Sequence, residues 1–308
     1  MPSLSEYIKQ ECLQQGFFDC SISTASALSH EKESYTKWIA EGKQGKMSYL
    51  AKHTEMRFDP RLLMPGTKSI VSVLLNYYPQ EKMPFSNNYR IAKYAYGQDY
   101  HQIVKDKLNR VAEACITQYG PFKYRAFTDS APILDRVWAQ KGGLGWIGKN
   151  TLLINKTQGS FFIIGHLFMD KELIADQRFQ EDLCLDCDKC ISACPTQALD
   201  PYTLDARKCL SYQTIENKSP EKDIAPRDFR NWIFGCDICQ DVCPFNSNPE
   251  PHSTPEFHPH PQLFQLKKAD WQALQPMVFG EIFRGTAVKR TGYKGLMQNI
   301  NWIEEKQS

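Results

Sequence analysis

The chain has 308 residues, with 37 Lys+Arg against 35 Asp+Glu, 42% hydrophobic residues and 11 cysteines. That length can bury one large core or two smaller ones, and a net charge of +2 excludes a generally basic, polyanion-coating protein, so any nucleic-acid contact must be local. Its longest apolar stretches, Ile70–Leu75 and Phe161–Ile164, fall far short of the roughly 20 residues that span a bilayer; with no basic-then-apolar leader pattern at the N-terminus, a cytoplasmic protein without a membrane partner is expected.

Residues 1–55 read as two or three helices, since Leu4, Tyr7 and Ile8, then Trp38, Ile39, Met47 and Leu50, recur near the helical period among charges. Ser69–Tyr78 is β-rich and bracketed by Pro65-Gly66 and Pro79, the punctuation of a buried strand. From Asp99 to Gln118, Val104, Leu108, Val111, Ala112 and Cys115 share one helical face, and Gly120-Pro121 ends that helix. A strand at Lys123–Thr128 follows. Ser130 is then the expected cap of a helix with Pro132 in its first turn, running to Gly142-Gly143. Strands are expected at Thr151–Ile154 and Ser160–Phe168. The Pro/His tract from Pro249 to Pro261 reads as a solvated linker. Strands alternating with helices place the chain in the mixed class, α+β / α/β.

Eight of the cysteines crowd into residues 184–243. In a reducing compartment such crowding points to metal rather than disulfides. Cys184-x2-Cys187-x2-Cys190-x3-Cys194-Pro195 reproduces the bacterial ferredoxin run, in which three thiolates serve one [4Fe-4S] cube and the fourth serves the other. Cys209, Cys236, Cys239 and Cys243 complete the count. Crossed ligation then gives Cys184, Cys187, Cys190 and Cys243 to one cluster, and Cys194, Cys209, Cys236 and Cys239 to the second. Two four-thiolate zinc sites would also use all eight, but zinc ribbons rarely carry the x2-x2-x3-Cys-Pro run. Cys12, Cys20 and Cys115 read as structural thiols.

Gly143-Leu144-Gly145-Trp146-Ile147-Gly148 matches a dinucleotide fingerprint by letter, yet it follows a helix and precedes a strand, the reverse of the required order. Those glycines, with Lys149-Asn150 beside them, suit the close approach of a large flat ligand or RNA.

Several segments together resemble the epoxyqueuosine reductase family, cobalamin-dependent iron-sulfur enzymes of tRNA modification related to reductive dehalogenases. They are Arg57-Phe58-Asp59-Pro60-Arg61, Tyr94 to His101, Thr128 to Arg136, Gly143 to Asn150 and the cysteine array. The resemblance implies three units: residues 1–175, an α/β cobalamin-binding catalytic domain; 176–248, a ferredoxin-like domain with two [4Fe-4S] clusters; and 249–308, a linker and short helical RNA-contacting tail. It implies reduction of the epoxide of epoxyqueuosine at the tRNA wobble position to queuosine, the last step of queuosine biosynthesis, by cob(II)alamin reduced to cob(I)alamin by the clusters.

By the same resemblance Asp129 inherits the role of acid, and Arg57, Tyr96, Asp129, Leu153, Ser211 and Tyr212 fall in cobalamin-contacting parts. On its own residues Asp129 could equally cap a helix; burial beside a cofactor would raise its pKa and keep a proton available. Expected RNA contacts are Arg136, Lys149, Arg284, Lys289, Arg290 and Lys294, four of them in a tail free of acids, with Phe283 and Tyr293 suited to stacking on unpaired bases. Longer relatives continue into helical repeats beyond the point where this sequence stops, which implies fewer RNA contacts. The expected partners are tRNA carrying epoxyqueuosine and an external electron donor, and the expected state is a monomer. A corrinoid iron-sulfur reductase of another substrate and a non-catalytic electron-transfer protein are the rival readings.

Overall fold

The computed structural model describes residues 2–83, 88–219 and 222–305. Its first lobe is a four-stranded sheet of β1 (Asp19–Thr24), β2 (Ser69–Asn76), β3 (Tyr124–Phe127) and β4 (Phe162–Met169), in the order β1-β2-β4-β3. Every pairing is antiparallel, with Val71 opposite both Ile22 and Leu167, so the sheet is of the α+β kind. Side chains alternate across β2. Val71, Val73 and Leu75 meet Ile8 and Cys12 of α1 (Leu4–Gln14) and Val104 and Leu108 of α3 (Tyr100–Tyr119). Ile70 and Leu74 turn the other way, toward Trp138 and Ala139 of α4 (Asp135–Gly142). Helices on both faces explain why β2 is an unbroken apolar run instead of an alternating one.

Among residues 1–55 the chain forms α1, a second helix α2 (Ser29–Ala40) and short turns, but also β1, which the helical reading passed over. Ile22 is its one large apolar side chain; Ser21 and Ser23 are buried hydroxyls, so no strand periodicity reaches the sequence. Helix α4 begins at Asp135 with no side-chain cap, and the Ser130 hydroxyl instead accepts from Lys105 Nζ at 3.3 Å. The expected strand at Thr151–Ile154 shrinks to a hairpin of Trp146–Ile147 with Leu153–Ile154.

A second core gathers residues from 83–96, 210–234 and 263–303, and so crosses all three expected units. In it α5 (Leu210–Ile215) and β5 (Trp232–Phe234), which pairs in parallel with Arg90–Ile91, pack against α6 (Gly292–Glu304). Asn299 of α6 is the polar pin, its Nδ2 donating to the carbonyls of Thr214 and Ile233, both at 2.9 Å.

The Pro/His tract is less solvated than expected: the His252 amide donates to the Tyr78 carbonyl at 2.7 Å, the Gln98 amide to that of Glu256 at 2.8 Å, and Phe257 is buried in the first core. Phe283 is also buried and Tyr293 spends its hydroxyl on the Leu274 carbonyl, so these rings are structural and not free to stack on bases. Among the described residues no helix is long and apolar enough to cross a membrane.

Candidate redox and acid site

The eight clustered cysteines lie on short helical turns and loops between Cys184 and Cys243. Among the described residues no three His, Cys, Asp or Glu side chains close on a single ion, and the grouping of the thiols shows instead in how they act on one another. Burial is the main force raising the thiols of Cys190, Cys209, Cys236, Cys239 and Cys243. Beyond burial, Cys190 feels Cys184 and Cys243, and Cys243 feels Cys184 and Cys187. Cys209 feels Cys194, Cys236 feels Cys239 and Cys209, and Cys239 feels Cys209 and Cys194, and also Cys190 of the other set. Two adjoining sets of four emerge.

Donors are already aimed at these sulfurs. Trp146 Nε1 and the Ala198 amide donate to Cys184 and Cys194 at 3.4 Å, the amides of Ser211 and Tyr212 to Cys209, and those of Phe245 and Asn246 to Cys243. Gly148 of the glycine turn sits against Cys184 and Ile154, where a Cβ would collide. Such N–H groups stabilise thiolate, while burial opposes it, so the set is poised for a cationic iron-sulfur centre; two groups of four match two [4Fe-4S] cubes.

The candidate acid stands where β3 gives way to α4. Asp129 adopts φ 52°, a left-handed conformation disfavoured for residues with a side chain. The turn is held by Thr128 Oγ1 donating to the Ile164 carbonyl at 2.8 Å. Asp129 Oδ2 accepts from the Tyr100 hydroxyl at 2.6 Å and lies 3.5 Å from His101 Nε2. Its side chain is still 58% exposed. His101 stacks on Tyr100, 4.3 Å between ring centroids, and its Nδ1 is 2.5 Å from Asp99 Oδ1.

Two carboxylates facing one imidazole settle where the proton sits. His101, the largest influence, holds the Asp129 carboxyl below its usual range, with Tyr100 and Arg290 adding to it against burial. His101 is in turn pushed up to about 9 by Asp129 and Asp99. This reverses the expectation that burial raises Asp129: the carboxylate is charged and the imidazole carries the proton.

Of the residues the resemblance brought forward, Arg57 is buried, donates through Nη2 to the Tyr49 carbonyl at 3.2 Å, and leaves Nε without a partner among the described residues. An orphaned guanidinium donor fits a ligand rich in amide and phosphate oxygens, as cobalamin is. Tyr96 contacts Phe264 and the Met83 amide, and it is Tyr94 that neighbours Tyr100, at 6.0 Å. Leu153 is enclosed in the sheet core, so only its backbone can face a ligand. The Ser211 amide serves Cys209, and the Tyr212 hydroxyl accepts the Lys46 amide at 2.8 Å.

Among the expected RNA contacts, Arg136 donates to the Thr151 carbonyl and Lys149 Nζ to that of Leu185. Arg284, Lys289 and Lys294 are exposed. Arg290 pairs with Glu216 Oε1 at 2.6 Å and acts on Asp129 and Tyr49. The sequence reading did not single out Tyr100 or Asp99 as partners of the acid; the run Asp99-Tyr100-His101, an N-cap followed by two polar rings, was the available signal.

The family model described as epoxyqueuosine reductase QueG, DUF1730, matches residues 57–130, and that of a 4Fe-4S double cluster binding domain matches residues 183–246. The chain is 47% identical to the epoxyqueuosine reductase of Leadbetterella byssophila, over 99% of this chain and 100% of that one. It is 46% identical to that of Cellulophaga algicola, over 97% and 98%. Among solved structures it superposes with TM-score 0.88 and 26% identity on an epoxyqueuosine reductase with a tRNA-Tyr epoxyqueuosine-modified stem loop, covering 97% of this chain and 80% of that one. It also superposes, with TM-score 0.86 and 25% identity over 97% and 80%, on the Bacillus subtilis enzyme with its catalytic aspartate loop swung out of the active site.

Proposed function

The chain belongs to the epoxyqueuosine reductase family, and from that premise we propose that it reduces the epoxide of epoxyqueuosine in tRNA, with Asp129 and His101 as its proton donor. The net change is loss of the epoxide oxygen as water, with two electrons and two protons consumed and a carbon-carbon double bond left behind. The cofactors are two [4Fe-4S] clusters and cobalamin: when bound, reduced cobalamin supplies the electrons for carbon-oxygen cleavage and the clusters relay them to it. Cys184, Cys187, Cys190 and Cys243 would hold one cluster, and Cys194, Cys209, Cys236 and Cys239 the other. Arg57 would bind the cobalamin through its free Nε.

The protein's own part is to hold a proton beside the substrate oxygen. Tyr100 and the left-handed turn aim Asp129 outward, and His101 Nε2 stands behind it charged, so a proton can pass through Oδ2 to the departing oxygen. Asp99 fixes the imidazole by taking Nδ1. The meeting of Tyr100 and His101 at Asp129 Oδ2, in a chain that also carries two groups of four thiols, carries this reading. The test is anaerobic incubation of reconstituted, reduced protein with epoxyqueuosine-containing tRNA, with and without cobalamin, followed by mass spectrometry of the nucleosides. Loss of one oxygen only with cobalamin is expected, and Asp129→Asn should slow it by about 10²–10⁴-fold. Wild-type turnover in a cobalamin-loaded Asp129→Asn variant would remove Asp129 from the chemistry.

A further inference from the structure

Next to Arg290 lies a group of lysines that takes no part in holding the proton donor. The loop at Gly42–Lys46 crosses the segment after α5: the Lys46 amide is held by the Tyr212 hydroxyl at 2.8 Å, and Lys46 Nζ donates to Asn217 Oδ1 at 3.0 Å and to Ser219 Oγ. Lys222 Nζ donates to the carbonyl of the same Asn217 at 2.7 Å. Lys218 Nζ donates to the Arg290 carbonyl at 3.2 Å. Asn217, itself buried, is fixed by donating from Nδ2 to Gln213 Oε1 at 2.8 Å. One asparagine thus holds two ammonium groups through its two oxygens.

All these partners are neutral, and among the described residues none of the three lysines has an ion pair. Their electrostatic surroundings contain Glu216, already paired with Arg290, and Asp223, which accepts from Gln213 Nε2 at 3.4 Å. Among the described residues, four cations therefore face two carboxylates. The strain is greatest at Lys222, which is 8% exposed and whose pKa is pushed down to about 8 by burial and then by Lys218 and Lys46, against Asp223. Holding like charges together in a fixed geometry is unfavourable unless an anion joins them.

We propose that Lys46, Lys218 and Lys222 form a phosphate clamp that grips the RNA backbone next to the wobble nucleotide. The inference rests on the tRNA reading above and names where the backbone lies. Ammonium groups are point-like phosphate ligands with three donors each. Lys218 is bonded to the carbonyl of Arg290, whose guanidinium acts on Asp129, so Arg290 links a phosphate held here to the proton donor. An anticodon loop presents its backbone close to the nucleotide that enters the site, which is what this adjacency demands. Lys46 and Lys218 are exposed and within reach of such a chain.

The test is fluorescence anisotropy of a labelled anticodon stem-loop RNA on the cluster- and cobalamin-loaded full chain, across a KCl series. Lys46→Gln combined with Lys218→Gln should weaken binding about tenfold and flatten the slope of log Kd against log[KCl] by about 0.7–0.9 for each phosphate no longer neutralised, whatever the loop sequence. KM for epoxyqueuosine tRNA should rise by the same factor. Lys32→Gln, at a lysine that is paired with Glu55 and lies outside this group, serves as control. Lys222→Met is read beside its thermal melt, because this residue is buried; the two exposed lysines keep the test decisive if it unfolds. A double variant that keeps the wild-type Kd and salt slope overturns the clamp. Wild-type protein that neither binds nor converts the tRNA overturns the functional reading instead.

Discussion

His101 concentrates the chemistry of the site in one titration. Its pKa in the fold lies above the ordinary 6.5, near 9, because Asp129 and Asp99 face it. A raised value means the pairing contributes in full below about 6.5 and is lost as pH rises through about 9. Turnover is therefore expected to fall on the alkaline side of pH 9 as the donor empties, and His101→Gln should abolish that limb in a pH-rate profile; an alkaline limb that survives the substitution would assign it elsewhere. Lys93 makes a second residue-scale case. Its Nζ lies 3.3 Å from Asp237 and 2.6 Å from Asp241, and buried Asp237 acts on the thiols of Cys236 and Cys239. The two carboxylates overcome burial and keep Lys93 charged, its pKa raised. Lys93→Met strands both acids and should cost about 3–5 kcal/mol in thermal unfolding. Removing a positive charge beside a cluster should also lower its midpoint potential, read by EPR-monitored titration.

At the scale of elements, period and punctuation were legible where burial is one-sided or complete. Helix α3 could be read because Val104, Leu108, Val111 and Cys115 all face the sheet, and β2 because both its faces are covered. Strand β1 could not be read, since two of its three buried positions are serines. The turn at Asp129 was hidden for a different reason: Ser130 and Pro132 look like a helix start, yet α4 waits until Asp135, and the intervening loop is what lets Asp129 take its left-handed conformation. The direction of its pKa was misjudged because His101, Tyr100 and Arg290 reach it through space. Helix α6 is more than the end of a tail. Leu296 is fully buried in the second core, and Leu296→Ala should destabilise the protein by about 2–5 kcal/mol, measured by denaturant unfolding, whereas Lys294→Ala on the exposed face should change stability little.

At the scale of the whole molecule, the acid site is assembled from residues far apart in the chain: 99–101 at the start of α3, 129 after β3, and 290 ahead of α6. Local motifs named the pieces, and spacing alone marked the eight cysteines as a double-cluster array, but no local pattern announces that Arg290 acts on Asp129 or that the second core draws on three separate stretches. The Pro/His tract and the Arg284–Thr291 segment tie these pieces together, the Asp99 amide donating to the Gly285 carbonyl at 2.7 Å.

That last bond orders the life history of the enzyme. During synthesis all eight cysteines are made before Gly285 is, so the start of α3, with Asp99 and His101, gains its anchor only after every thiol is in the chain. The proton donor is therefore among the last parts of the molecule to be fixed in place.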